Sequence, residues 1–336
     1  MIWQKYNSDE KQAILQTVSN EIGIVEQAVE KDWWVTIVLK ALSNTSWGSK
    51  EVLLFKGGTS LSKGWNLIER FSEDIDIIID RATFNKPDET KQQRTKIRKD
   101  TFHYIKDTLK EEIKYQLDSL GATNYEIEFV SDNSSAMVTV VNVKYKSVLR
   151  TEIDYILPQI KIEFSSMAMR DPFKNVGLKT LIHEKYNQVD EELFFYFPTV
   201  VPERTFLEKI FLLNEEFQRQ NPRHERMARH LYDVAKIIDT DYALKSLTVM
   251  GLYKDIILYR KKFYGLDGVD YNKNHPKTID FCPPAEQTSE WQSDYEKLQQ
   301  TFIYGESPKY EELIEKLQKF TDTKIRNIEM HYPLIP

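Results

Sequence analysis

Residues 57–78 constrain the fold and the chemistry of this chain more than any other segment. An apolar run leads into Gly-Gly-Thr-Ser at 57–60, a stretch with helical spacing follows, and Asp-Ile-Asp at 74–76 opens a second apolar run. In a β-strand, residues two apart point to the same face and lie about 6–7 Å apart along the chain. Asp74 and Asp76 are therefore predicted to project side by side from the start of a strand.

Two neighbouring carboxylates repel each other unless a cation lies between them. Mg²⁺, a hard ion bound by one or two carboxylates together with substrate phosphates, is the predicted partner. The glycines allow a ligand to approach the backbone closely, and a helix start beside them presents free N–H groups to a phosphate. This arrangement of triphosphate site and metal site is the one that nucleotidyl transfer needs. The predicted phosphate-binding residues are Gly57, Gly58, Thr59 and Ser60.

The segment FKGGTSLSKGWNLIERFSEDIDI, residues 55–77, resembles a motif of the AbiE-type nucleotidyltransferase toxins. These toxins are the enzymes of type IV toxin–antitoxin pairs and belong to the DNA polymerase β-like nucleotidyltransferase superfamily. The family's Arg-x-Ser-x-Asp-x-Asp spacing is matched by Arg70, Ser72, Asp74 and Asp76. The resemblance implies that Arg70 and Ser72 also reach phosphate and that both aspartates bind metal.

Two later segments, residues 203–209 and 229–233, resemble further motifs of these toxins and imply catalytic roles for Lys209 and Asp233. Lys209 lies beside a predicted apolar helix stripe, where its ammonium needs an anionic partner, and triphosphate oxygens would serve. The resemblance also covers residues 30–34, where core packing is the preferred interpretation of the two tryptophans, and residues 291–295.

The role of Asp233 has two open alternatives. Arg229 lies one helical turn before it, so a simple ion pair between the two residues is the structural interpretation. The family commonly has an acid directly after the arginine, where this chain has His230. If that acid is the functional one, its role does not pass to Asp233.

The superfamily resemblance also implies a third carboxylate on a neighbouring strand, which completes a two-metal site. Glu163 is the candidate, because it lies on the polar face of an alternating strand predicted at 159–165. Glu128 and Asp154 are alternatives. An ion pair of Glu163 with a residue such as Lys161 is the purely structural interpretation.

The net charge of −6 and the pI near 5.7 argue against a protein that coats nucleic acid over its whole surface. Contacts with RNA must then come from local basic patches, of which the sequence has two, at 91–99 and 219–229. A solvated helix face is the alternative for the first patch. The predicted acceptor-binding residues are Arg94, Arg98, Arg226 and Arg229.

Hydrophobic periodicity predicts an α+β fold, consisting of a polymerase β-like mixed sheet with flanking helices and a C-terminal helical domain. The predicted domains are residues 1–198, with two N-terminal helices, and residues 199–336. Strands are predicted at 51–56, 74–80, 125–129, 138–145 and 159–165. Helices are predicted at 8–20, 22–43 and 88–119, from Pro202 to a break at Asn221-Pro222, and at 224–239, 241–262, 286–302 and 308–326, with a long loop at 263–285.

No apolar stretch approaches 18 residues and no apolar signal core is found, so we expect a cytoplasmic protein without membrane contact. Cys282 is alone, which excludes an internal disulfide and a cysteine-based zinc cluster. The resemblance implies metal-dependent transfer of a nucleoside monophosphate from a nucleoside triphosphate to RNA, with the tRNA 3′ end as acceptor, in a phage-defence toxin with a cognate antitoxin. Transfer to a small molecule or a protein hydroxyl, and a non-catalytic nucleotide-binding module, are the alternatives.

Overall fold

The computed structural model describes residues 3–72, 74–150 and 156–329. Asp154, one of the alternatives for the third carboxylate, lies outside the described residues. The strand that carries Glu163 and the strand that carries the aspartate pair are both described, so their relation can be analysed directly.

The chain forms two units. The first takes the chain up to Trp65 together with Phe71–Val200, and the second takes Asn66–Arg70 together with the chain from Val201 onwards. The segment just before the aspartate pair therefore contributes five residues to the second unit before the chain enters the first unit again.

In the part of the chain that the structure describes, seven strands form one mixed sheet in the first unit, in the order β3-β4-β5-β2-β1-β7-β6. The central strand β2 is antiparallel to β1 and parallel to β5. The Asp-x-Asp sequence thus begins a strand that has neighbours on both sides. The strands are β1 (Leu53–Lys56), β2 (Asp74–Ile79), β3 (Tyr125–Phe129), β4 (Thr139–Tyr145), β5 (Gln159–Ser165), β6 (Phe173–Leu178) and β7 (Phe195–Val200).

The first unit has six α-helices among the described residues. They are α1 (Ser8–Ile22), α2 (Glu26–Asn44), α3 (Gly57–Lys63), α4 (Lys91–Tyr104), α5 (Lys110–Ser119) and α6 (Leu181–Lys185). Buried side chains of α1, α2 and α5 form one hydrophobic core with the apolar side chains of the strands. Because side chains alternate along β2 and β5, the opposite face carries their polar residues.

Local signals fix the ends of α1. The Asn7 side chain accepts a hydrogen bond from the Glu10 N–H at 3.0 Å, and the Glu10 carboxylate accepts one from the Asn7 N–H at 2.8 Å. This reciprocal capping box satisfies two N–H groups that the helix itself leaves without acceptors. Gly23, with a φ of 78°, ends the helix in the left-handed conformation that glycine adopts without steric cost.

The second unit is helical. Its helices are α7 (Pro202–Glu216), α8 (Ala228–Ile238), α9 (Asp241–Thr248), α10 (Met250–Phe263), α11 (Thr288–Thr301) and α12 (Tyr310–Phe320). The Asp294 carboxylate accepts hydrogen bonds from the backbone N–H groups of Arg226 and Ala228, at 2.7 and 2.8 Å, and so caps the start of α8. This contact gives the family-like segment at 291–295 a structural role.

A buried polar network fixes the long loop between α10 and α11. Glu215 on α7 accepts two hydrogen bonds from the Arg260 guanidinium, each of 2.7 Å, and a third from the Asn274 amide at 2.9 Å. All three residues are buried. The loop is therefore anchored to α7 by a satisfied charge pair rather than by apolar packing alone.

The predicted α+β fold is confirmed, and each strand predicted from the sequence is present. Three differences have local causes. The helix predicted at 241–262 is interrupted at the β-branched Val249, and the helix after Gly57 already ends at Lys63. The strands β6 and β7 were not predicted, and β7 contains Pro198, a residue that argues against a strand interior.

Candidate active site

The central strand β2 places Asp74 and Asp76 on the face opposite the hydrophobic core, while Ile75 between them is buried. The neighbouring strand β5 runs parallel in a register that sets Asp74 opposite Lys161 and Asp76 opposite Glu163. Paired residues of neighbouring strands point to the same face of a sheet. The carboxylates of Asp74, Asp76 and Glu163 and the ammonium of Lys161 therefore share one part of this face.

Lys161 is the counter-charge of this group. Its ammonium forms an ion pair with the Glu163 carboxylate, as the structural interpretation of Glu163 anticipated. Burial lowers the pKa of Lys161, but the hydrogen bond to Glu163 and the charges of Asp74 and Asp76 outweigh that effect, so the pKa is raised overall. The sequence named Lys161 only as an ion-pair partner, although its position two residues before Glu163 placed it on the same face.

The donor chemistry of this face fits a hard cation such as Mg²⁺, because its ligands would all be carboxylate oxygens. In residues 3–72, 74–150 and 156–329, no three His, Cys, Asp or Glu side chains converge closely enough to hold a metal ion. Glu163 is turned to Lys161 instead. Asp74 and Asp76 are the residues that could hold a metal here, and Glu163 would join them only after its carboxylate leaves the Lys161 ammonium.

Glu128, an alternative third carboxylate, lies away from the aspartate pair. It is on β3, and two strands, β4 and β5, separate β3 from β2. Its carboxylate forms an exposed ion pair of 2.8 Å with Lys144. Among the described candidates, Glu163 is the one on the strand next to Asp74 and Asp76.

Position 57 must be a glycine because the Asp76 carboxylate occupies the space that a side chain would need. Its φ is 79°, and a Cβ built on it would lie 2.0 Å from Asp76 Oδ2. Neither the backbone conformation nor the space tolerates a side chain here. The sequence predicted that the glycine pair admits a ligand to the backbone, and in the structure Gly57 admits the Asp76 carboxylate.

Gly57→Ala is expected to displace the Asp76 carboxylate and to lower nucleotidyl transfer about 10²-fold, since small misplacements of a reacting group have effects of that size. Gly23→Ala is a matched control, because Gly23 has a φ of 78° and nothing lies within 4 Å of its Cβ position. Both variants carry the strain of a left-handed residue, about 1–2 kcal/mol. Equal transfer rates in the two variants would show that the Gly57–Asp76 contact is irrelevant to activity.

Thr59 and Ser60 are buried, and their hydroxyls are used within the protein. The Thr59 hydroxyl donates to the Asp74 carbonyl and lies 2.9 Å from the Ser72 hydroxyl, while the Ser60 hydroxyl donates to the Gly57 carbonyl at 2.9 Å. The Thr59 bond attaches the first turn of α3 to the start of β2, and the Ser60 bond lies within α3. Phosphate binding by this segment stays a prediction that rests on backbone N–H groups rather than on hydroxyls.

The second unit contains a separate buried charge cluster around Asp233. The Arg70 guanidinium donates to both Asp233 oxygens, at 2.7 and 2.8 Å, and the Lys209 ammonium lies 2.8 Å from Oδ2. The Lys209 ammonium also contacts His230 Nδ1 at 3.3 Å. The sequence expected a triphosphate as the anionic partner of Lys209, and in the structure the Asp233 carboxylate takes this place.

The pKa values in this cluster follow from burial and from the two cations. Burial raises the pKa of Asp233, but the charges of Arg70 and Lys209 dominate and lower it overall. Burial lowers the pKa of Lys209 more than Asp233 raises it. Burial and the nearby cations hold the pKa of His230 well below its usual range, so His230 is neutral at pH 7. Asp233, not His230, is therefore the acid that balances the cations.

A comparison with protein families matches residues 38–319 to the model of the nucleotidyl transferase AbiEii toxin of type IV toxin–antitoxin systems. The chain belongs to the AbiEii family. The family resemblance seen in the sequence is thereby confirmed, and so is the assignment of the protein as a nucleotidyltransferase toxin. Family membership also implies a nucleoside triphosphate substrate and a cognate antitoxin.

Among solved structures, this AbiEii chain is similar to MenT4, a nucleotidyltransferase toxin from Mycobacterium tuberculosis. The identity is 17%, the TM-score is 0.52, and the alignment covers 94% of this chain and 90% of that one. At this identity the likeness shows a shared fold. A comparison with curated protein sequences gives no match. No helix in the described parts of the chain has the length and apolar character needed to cross a membrane.

The AbiEii-like segment at 30–34 is structural. Glu30 accepts hydrogen bonds from Ser147 and Val148, and Asp32 forms an ion pair of 2.6 Å with Lys63 at the end of α3. The two tryptophans of the segment lie in the hydrophobic core, which confirms the packing interpretation. The segment therefore connects α2 to the helix that begins at Gly57.

The arginines of the first basic patch are partly used in the protein itself. Arg94 donates to the carbonyls of Asp88 and Glu89, at 3.0 and 2.7 Å, and Arg98 donates to the Ser135 carbonyl at 2.7 Å. Each side chain is partly buried. Arg94 and Arg98 thus hold neighbouring backbone segments, which limits how freely they can contact an acceptor.

In the second basic patch, too, some arginines form contacts within the protein and others are exposed. Arg219 and Arg223 form ion pairs with the buried Glu216, at 3.2 and 2.7 Å. Arg226 is exposed and has a φ of 59°, with its backbone N–H bound to Asp294. The assignment of Arg226 and Arg229 to acceptor binding stays a prediction.

Proposed function

We propose that this AbiEii toxin transfers a nucleoside monophosphate from a nucleoside triphosphate to a hydroxyl of RNA, with the tRNA 3′ end as the acceptor, in a Mg²⁺-dependent reaction. The observation that carries the proposal is the pairing of β2 with β5, which aligns Asp74 and Asp76 with Glu163 on one face of the sheet. Asp74 and Asp76 would hold the metal, and Glu163 would complete a two-metal site. Bound metal would activate the attacking hydroxyl and neutralise the triphosphate.

The chemistry required of the protein is mainly positioning. The acceptor oxygen forms a bond to the α-phosphorus, the bond from that phosphorus to the bridging oxygen breaks, and pyrophosphate leaves with the electron pair. The hydroxyl proton passes to solvent. Gly57 leaves room for the Asp76 carboxylate, and Lys161 keeps a positive charge among the three carboxylates. Correct placement of charge before the reaction is the largest contribution that such a site makes.

The direct test is incubation of the purified protein with each labelled nucleoside triphosphate and total RNA, with Mg²⁺ or with a chelator. The expected result is Mg²⁺-dependent label in one RNA class, with release of pyrophosphate. Mapping of the label to the 3′ end of tRNA would support the full proposal. Label that appears without divalent metal, or only in DNA, would overturn it.

A second candidate is transfer to a small molecule or to a protein hydroxyl. The acidic composition favours it, and so do the internal contacts of Arg94 and Arg98, which reduce the basic surface available to RNA. In the same assay, this reaction would release pyrophosphate without labelling RNA, and label would appear in a protein or a small product.

The basic patch on α4 gives a prediction for the acceptor. Arg94→Gln combined with Arg98→Gln removes two charges but retains amide donors for the backbone carbonyls. If both arginines contact RNA phosphates, the log–log salt slope of RNA binding is expected to fall by roughly 1–2, because each lost contact releases about one counterion fewer. Nucleotide binding should change little. Binding is measured by fluorescence anisotropy at several salt concentrations.

The control for this prediction removes two charges elsewhere in the same unit. Lys110→Gln with Lys114→Gln changes two lysines of α5 that pair with acidic neighbours. An unchanged slope in the arginine variant, equal to that of the lysine variant, would identify the patch as a solvated face. The acceptor would then be expected at Arg226 and Arg229.

The roles predicted for Arg70, Ser72 and Lys209 at the triphosphate stay predictions. Arg70 and Lys209 already share the Asp233 carboxylate, and Ser72 lies beside the Thr59 hydroxyl. Any phosphate contact by these residues would have to compete with or add to these internal bonds.

A further inference from the structure

Asn142 lies on the same sheet face as the aspartate pair. It belongs to β4, and the register sets it opposite Lys161, which itself is opposite Asp74. A row of side chains thus crosses three strands from Asp74 to Asn142. Two strand spacings amount to about 9–10 Å, which places the amide to one side of the carboxylates and not among them.

The Asn142 side chain has an acceptor that the protein leaves unused. Its Oδ1 is shielded from solvent and has no hydrogen-bond partner among the described residues. The great majority of buried polar atoms are hydrogen-bonded, and an unmet one destabilises the protein. Because Asn142 lies on the candidate substrate face, a bound ligand could supply the hydrogen-bond donor that its Oδ1 lacks.

The charged neighbours of Asn142 on this face are already engaged. The Lys161 ammonium pairs with Glu163, and the Lys144 ammonium pairs with Glu128. Val140, the next β4 residue on the same face, is apolar and opposes Glu163. Neither the Lys161 nor the Lys144 ammonium donates to Asn142 Oδ1, so this acceptor is unmet in the part of the chain that the structure describes.

We propose that Asn142 accepts a hydrogen bond from the exocyclic amino group of the nucleobase and so sets which nucleoside triphosphate the toxin uses. The inference rests on the proposed function, with the triphosphate at Asp74 and Asp76. A carboxamide offers one acceptor and one donor edge in a plane, which suits the edge of a base. Bases with an amino donor are preferred over uracil, which has none.

The expected size of the preference follows from the value of one specific base contact. Such contacts discriminate by about 1–3 kcal/mol, or roughly 5- to 150-fold in affinity. The wild-type protein should bind at least one amino-bearing nucleoside triphosphate that much more tightly than its analogue lacking the amino group. For cytosine, UTP is a natural comparison.

The test measures nucleotide binding by calorimetry with the full chain and Mg²⁺, in the absence of RNA, using ATP, GTP, CTP, UTP and deamino analogues. Asn142→Leu keeps the size and removes both hydrogen-bonding groups, and Asn142→Val provides a β-branched variant that suits a strand. Each should bind all nucleotides with nearly equal affinity. Thermal unfolding shows whether each variant is folded. Asn175→Leu, at a β6 asparagine whose amide binds Glu51, is the control and should keep the wild-type preference.

The following outcomes would overturn the inference. The preference could survive in both Asn142 variants, all affinities could fall by the same factor, or the wild type could show no preference between amino-bearing and deamino nucleotides. Loss of RNA binding with unchanged nucleotide preference would assign Asn142 to the acceptor and also overturn it. If the wild type binds no nucleoside triphosphate, the proposed function itself fails, which separates that failure from a failure at Asn142.

Discussion

Asp76→Asn is expected to lower nucleotidyl transfer by about 10³-fold or more, with Asp74→Asn close behind. Loss of a metal-binding carboxylate removes several kcal/mol of transition-state stabilisation, and each 1.36 kcal/mol is tenfold in rate. The structure places both carboxylates on the same face of the central strand. The missing side chain of Gly57 leaves space for the Asp76 carboxylate, which is why the larger effect is expected for Asp76→Asn. Label transfer from the preferred nucleotide gives the rate.

Folding should be retained in both variants. The mutual repulsion of the carboxylates is already reduced by the positive charge of Lys161, so removal of one negative charge is expected to leave thermal stability unchanged or slightly higher. Mg²⁺ should stabilise the wild type against heating and have a smaller effect on the variants. This second measurement does not depend on activity.

Glu128→Gln is the matched control for the loss of a strand carboxylate. Glu128 lies in the same sheet but pairs with Lys144 on an exposed edge. Its variant should transfer at the wild-type rate. Wild-type rates in either aspartate variant, or a comparable loss in Glu128→Gln, would contradict the assignment of the metal site.

The aspartate pair could be predicted from the sequence because strand alternation is a local property. Asp74 and Asp76 are two residues apart, so the strand alone decides that they share a face. Glu163 could be placed on a polar face for the same reason. That β5 lies next to β2, with Glu163 opposite Asp76, depends on pairing across the sheet and was available only through the resemblance.

The Asp233 cluster shows what a sequence pattern cannot supply. Arg70 and Asp233 are 163 residues apart, and neither periodicity nor spacing connects them. The sequence offered only Arg229, one turn away, as a partner of Asp233, and the structure adds Arg70 and Lys209 on its carboxylate oxygens. Long-range charge pairing is decided by which elements pack together, so it appears only in the folded chain.

The partners of the Thr59 and Ser60 hydroxyls could not be predicted from the sequence for a related reason. A serine or threonine at a helix start suits both a phosphate and the protein's own carbonyls, and the sequence does not distinguish these partners. In the structure, Thr59 binds the carbonyl of Asp74 and Ser60 binds that of Gly57. The Thr59 hydroxyl therefore holds the Asp-x-Asp strand against α3.

Asp233→Asn is expected to destabilise the protein by about 3–5 kcal/mol, the usual effect of breaking a buried ion pair from one side. The variant leaves the Arg70 guanidinium and the Lys209 ammonium buried without their carboxylate. Lys209 can lose its proton, since its pKa is already lowered, but arginine cannot. The cost therefore falls mainly on Arg70. Urea unfolding followed by circular dichroism at pH 7 measures it.

The control is Asp239→Asn, at the end of the same helix, where an ion pair with Lys316 is largely exposed. Such pairs contribute about 0–1 kcal/mol. A further check uses pH. The pKa of Asp233 is lowered in the folded protein, so its contribution is complete above about pH 4 and is lost as the pH falls further. The gap between wild type and Asp233→Asn should therefore be constant near neutral pH and narrow below pH 4. A gap no larger than that of Asp239→Asn, or one that widens in acid, would show that Asp233 does not carry this stability.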